Sequence, residues 1–98
     1  MNHFFVKLIP PRPTFNKDMN KKEEQTMHYH TQYWSELMRQ GFVIVYGPVM
    51  DMNGLYGMGV LDVENEQQAI RLMSKDPCVK DGLMKVEIAE MKAIFKKE

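Results

Sequence analysis

The period of the apolar positions changes along the chain, and each change predicts an element. His3-Phe4-Phe5-Val6-Lys7-Leu8-Ile9 is a β-rich run. It stops at Pro10, Pro11 and Pro13, because proline lacks the N–H that a strand interior needs. This predicts a first strand followed by a stiff loop. Asn20-Lys21-Lys22-Glu23 then has the spacing of a capping box, in which the two side chains satisfy the first free amides of a helix. Beyond it Met27, Trp34, Leu37 and Met38 recur at the helical period, while Gln32, Glu36, Arg39 and Gln40 fall on the other side. Gly41 provides the stop. Phe42 to Tyr46 is a nearly continuous apolar run, as expected of a central strand covered on both faces, and Gly47-Pro48 interrupts it. Asp51-Met52-Asn53-Gly54 carries the signal of a tight hairpin, so Tyr56 to Val63 should return antiparallel. Asn65-Glu66-Gln67-Gln68 predicts a second capping box, with Ala69, Ile70, Leu72 and Met73 as the buried stripe of a helix that Asp76-Pro77 closes. Met84, Val86 and Ile88 alternate with Lys85, Glu87 and Ala89 in a last strand running to Met91.

The order is βαββαβ, which predicts an α+β, ferredoxin-like antiparallel sheet with both helices on one face. Gly57 and Gly59 share one face of the returning strand and let something approach the sheet closely. The other sheet face is left bare. A second copy packed face to face would cover it and make a dimeric α+β barrel.

Composition narrows the classes. The 98 residues, 44% hydrophobic and 10% aromatic, suffice for one core, so residues 1–98 are expected to be a single domain. Thirteen basic residues balance thirteen acidic ones, so no global field draws the chain to nucleic acid or to an anionic membrane. Cys78 is the one cysteine and cannot form an internal disulfide, and the N-terminus lacks a long apolar run. Both predict a cytoplasmic protein. So small an interior leaves little room for a cavity, which favours a homodimer or higher homo-oligomer whose pocket borrows walls from a second subunit. The ten methionines read as adaptable core filler.

Candidate chemistry centres on Met27 to Trp34, MHYHTQYW. His30 shares the inward stripe, whereas His28 falls on another face and should be more exposed. A buried histidine satisfied by one hydrogen bond is the commoner role, and an aspartate before proline commonly just stops a helix and accepts local amides. Side-by-side helices, however, let Asp76 reach His30. The carboxylate would then fix the imidazole tautomer and leave the opposite ring nitrogen to take or give a proton. Arg12, on the stiff loop, could bind a substrate carboxylate bidentately or form a surface salt bridge. Trp34, Tyr46 and Tyr56 could line a pocket or belong to the core. Cys78 has no dedicated base and reads as a bystander. His3, His28, His30 and Asp76 lack the spacing of a metal site, so neither metal nor cofactor is expected.

These residues resemble the YciI-like (YCII-related) family over nearly the whole chain. The likeness rests on Leu8-Ile9-Pro10-Pro11-Arg12-Pro13, on Glu23-Glu24, His30 and Tyr33-Trp34, and on Gly41. It continues through Gly47-Pro48-Val49, Gly54 with Tyr56-Gly57, and Asp76-Pro77 followed by Gly82-Leu83. The resemblance implies a dimeric α+β barrel whose active site uses a histidine of the first helix and the aspartate of the Asp-Pro turn, here His30 and Asp76. By analogy with related barrels, the expected activity is acid/base proton transfer on a small aromatic, enol or lactone-type molecule, isomerase-like or lyase-like. The alternative is a binding or dimerisation module that uses the same pocket without turnover.

Overall fold

The computed structural model describes residues 1–94, so the last four residues of the expected 1–98 domain lie outside the described residues. Four strands, β1 (Asn2–Ile9), β2 (Val43–Asp51), β3 (Gly54–Val63) and β4 (Lys85–Met91), form one antiparallel sheet in the order β2-β3-β1-β4. The helices are α1 (Phe15–Asp18), α2 (Lys21–Arg39), α3 (Glu66–Ser74) and α4 (Pro77–Lys80). This is the ferredoxin-like α+β arrangement expected from the apolar pattern. The strand alternation sets the layers. Phe4, Val6 and Leu8 of β1 and Leu61 and Val63 of β3 are buried under the helices with Trp34, Leu37, Ala69 and Met73. Phe5 of β1 pairs with Val60 and Ala89 on the opposite face, where Val45 is 49% exposed. No helix among the described residues is long and apolar enough to cross a membrane.

The first capping box forms as its spacing predicts. Asn20 Oδ1 accepts from the Glu23 amide at 2.8 Å, and the Glu23 carboxylate accepts from the Asn20 amide at 3.0 Å. Gly41, with φ 89°, follows the helix in the left-handed region that a Cβ would disfavour. The second box forms only in half: Asn65 caps the Gln68 amide, but Gln68 reaches one residue further back, to the Glu64 amide at 2.8 Å.

Several expectations shift. The run Phe42 to Tyr46 belongs to an edge strand and not a central one, since among the described residues β2 pairs with β3 alone. Gly47-Pro48 does not interrupt it, because an edge strand has one row of amides without a ladder partner and tolerates proline. The hairpin corner is Met52-Asn53, and Gly54, with φ 121°, already pairs with Asp51 as the first residue of β3. Met38 and Ile70 lie on the shoulders of their stripes and are exposed, while Thr26 takes an inward position on α2. The methionines divide: Met73 and Met84 fill the core, but Met50 and Met52 are exposed. Finally, two one-turn helices, α1 and α4, went unpredicted. The Asp-Pro turn that ends α3 also begins α4, with Asp76 as N-cap and Pro77 in the first turn.

Candidate active site

His30 and Asp76 meet. The imidazole Nδ1 lies 2.8 Å from Asp76 Oδ2 and 3.0 Å from Oδ1. An ionised carboxylate only accepts, so Nδ1 carries the proton, and in the neutral ring Nε2 keeps its lone pair. The helix that packs against α2 is the one-turn α4, and its N-cap aspartate is thereby delivered to the imidazole. Asp76 also accepts from Trp34 Nε1 at 2.7 Å and from the Cys78 amide at 3.0 Å. Capping the Cys78 amide and bonding the imidazole therefore coexist in one side chain.

The carboxyl is fully buried. Burial alone would push its pKa up. The hydrogen bond and charge of His30, with the Trp34 and Cys78 donors, outweigh burial and hold the carboxyl below its ordinary range. The negative charge has consequences nearby. Burial first, and then the Asp76 charge, push the Tyr33 phenol up to about 12, and its hydroxyl donates to the Leu72 carbonyl at 2.6 Å, tying α2 to α3. The same two causes raise the Cys78 thiol, so it stays protonated.

Beside the dyad lies a cavity of about 340 Å³, lined mostly by apolar groups including Leu8, Phe15, Met19, Met27, Trp34 and Met84. Its polar lining comes from Asn16, His30, Thr31, Tyr46 and Tyr56. The glycines explain how it fits. A Cβ at Gly59 would run into Trp34 Cζ3 and Cη2, so the bare backbone there admits the indole, while Gly57 belongs to the cavity wall. Trp34 stands between the site's parts: its ring centroid is 6.2 Å from that of His30 and 5.5 Å from that of Tyr46.

The remaining sequence candidates separate. Tyr46 lines the cavity on the helix face of β2, with its hydroxyl 3.2 Å from Ser35 Oγ. Tyr56 borders the cavity, but strand alternation turns its ring to the open face, where Lys7 Nζ stands 4.6 Å above it. Arg12 is not part of the lining. Its guanidinium forms a fork with Glu23, at 2.7 and 2.9 Å, and bonds Asp18 at 2.8 Å, fastening the proline loop to the start of α2. His28 is exposed, as its helical position predicts.

Two participants escaped sequence reasoning. Cys78, expected to be a bystander, is buried with Sγ 3.3 Å from His30 Nδ1; the signal was its place two residues past the capping aspartate. Thr26 bonds Asp81 beyond α4 at 3.3 Å. His30, Asp76 and Cys78 together offer one metal-ligand atom each within 4.8 Å of one another. The fit to an ion is poor, since the carboxylate is engaged by three N–H donors and the thiol is held protonated.

The family model described as the YCII-related domain matches residues 3–92. None of the curated proteins matches the chain. Among solved structures, muconolactone isomerase is similar with a TM-score of 0.72 and 18% identity, covering 98% of each chain. The 5-chloro-2-hydroxyhydroquinone dehydrochlorinase TftG of Burkholderia phenoliruptrix AC1100, in complex with 2,5-dihydroxybenzoquinone, is similar with a TM-score of 0.64 and 16% identity, over 91% of this chain and 93% of that one. At these identities the likeness is one of fold, that of the α+β barrels.

Proposed function

The chain belongs to the YCII-related family, and we propose that within it this protein is a small-molecule enzyme that transfers a proton with the His30–Asp76 dyad, without a cofactor, in an isomerase-like or lyase-like reaction. One observation carries the reading: His30 Nδ1 contacts both oxygens of a buried, ionised Asp76, and the same imidazole lines an apolar cavity. Asp76 fixes the tautomer and stabilises the imidazolium once Nε2 has taken a proton; Nε2 then returns that proton to a second atom of the bound molecule. The apolar walls, with Trp34 and Tyr46, exclude water and orient a flat substrate. The names of the two similar enzymes, one acting on a hydroxylated ring and one on a lactone, support substrates of that size.

The working form is a cytoplasmic homodimer. Phe5, Val45, Met58, Val60 and Ala89 share the sheet face that no helix among the described residues covers, and a second copy would bury them. A screen of small phenols, enols and lactones, with product analysis of each compound bound, tests the enzyme reading. His30→Gln, which keeps a neutral polar side chain, should lower turnover of any converted compound roughly 10²-fold or more. Unchanged turnover in folded His30→Gln, or compounds that bind and always return unaltered, would leave a binding module instead.

A further inference from the structure

Charge bookkeeping across the cavity points to the kind of molecule it accepts. Among the described residues, no Lys, Arg, Asp or Glu lines it, and His30 contributes its imidazole. Two cations of the flanking segments are committed elsewhere. Arg12 is engaged by Glu23 and Asp18, and Lys7 stands over the Tyr56 ring on the opposite sheet face. Just behind His30 sits the carboxylate of Asp76, a fixed negative charge with N–H donors but no Lys or Arg bonded to it. A ligand carrying its own carboxylate would add a second negative charge to this apolar enclosure with no Lys or Arg on its walls to pair it.

We propose that the cavity takes an uncharged, single-ring molecule with an acidic hydroxyl, a phenol or cyclic enol, and rejects its carboxylated counterpart. This deepens the acid/base reading and rests on it. The size agrees: about 150 Å³ holds a benzene, so about 340 Å³ accommodates one substituted ring. The charge balances at every step. The O–H bond of the ligand breaks and an N–H bond forms at His30 Nε2, giving an oxyanion and an imidazolium flanked by Asp76. Net charge in the site is unchanged, so no further cation is required. Delivery of the same proton from Nε2 to a ring carbon forms the C–H bond, the oxyanion pair closes to C=O, and the molecule leaves as its keto tautomer with no atom gained or lost.

The test measures binding of catechol and of 3,4-dihydroxybenzoate by titration calorimetry, to the wild type and to Asn16→Arg, which places a cation at an exposed position of the lining. Catechol should bind the wild type at least about tenfold more tightly than the acid, and Asn16→Arg should raise the acid's affinity by about tenfold. Equal or tighter binding of the acid by the wild type, or no binding of catechol, overturns the inference. The acid/base reading is judged separately by His30→Gln turnover. Tight, selective catechol binding with turnover indifferent to His30 would sink that reading while the charge selectivity stands.

Discussion

Asp76 accepts from His30, Trp34 and the Cys78 amide at once, so its substitution separates structure from chemistry. Asp76→Ala leaves two buried donors and the half-buried imidazole without a partner and should destabilise the fold by roughly 3 kcal/mol, measured by urea unfolding. Asp76→Asn keeps the shape and part of the hydrogen bonding; it should fold, yet lose proton transfer about as severely as His30→Gln. The pH dependence follows from the folded carboxyl lying below its ordinary value of 3.8. Its stabilisation is complete above that value and is lost as the pH falls through the folded value. Glu23, held at about 2 by Arg12 and the Asn20 amide, acts in the same direction and window. Urea midpoints should therefore drop from pH 6 to pH 3, and drop less for Asp76→Asn; an equal drop would remove Asp76 from the account. At this scale the sequence was informative about His30, whose stripe position follows from helical spacing. It was silent about Cys78, because burial of a residue in a one-turn helix leaves no periodic trace.

At the scale of elements, α2 and β3 fit together through one missing side chain. Gly59→Ala would force its Cβ into the Trp34 indole. Overpacking of this kind costs about 1 to 3 kcal/mol, and displacing the indole would also disturb its bond to Asp76. Calorimetric melting should register the loss, and the indole fluorescence should shift; a variant as stable as the wild type with unaltered emission would contradict the packing described. The longer elements were legible because α2 has a capping box and a stripe, and β1 and β4 alternate. The character of β2 was not. Its apolar run resembled a strand covered on both faces, and pattern alone does not distinguish a central strand from an edge strand. The turn Asp76-Pro77 ends one helix and begins another, because a capping aspartate followed by proline satisfies both grammars.

The whole molecule has one sheet face under helices and one open, and the open face mixes Phe5, Val45, Met58, Val60 and Ala89 with Lys7 and Glu87, paired across β1 and β4. If a second copy covers it, Val45→Lys, at a position already half exposed, should leave the fold intact and shift the protein from dimer to monomer in sedimentation at micromolar concentration. A monomeric wild type would dispose of the barrel assembly. The topology was legible from the order of periods along the chain, whereas the cavity was not, because it depends on where Trp34 settles over Gly59 and on the loop that Arg12 fastens to α2.

In the proposed dyad Asp76 holds the His30 proton on Nδ1 and leaves Nε2 free, and long-range ¹H–¹⁵N correlation NMR reads that directly. Recorded with the ring neutral, the spectrum should show His30 protonated at Nδ1 with an unprotonated Nε2, a pattern lost in Asp76→Ala. A proton on Nε2 in the wild type, with Nδ1 bare beside the carboxylate, would contradict it.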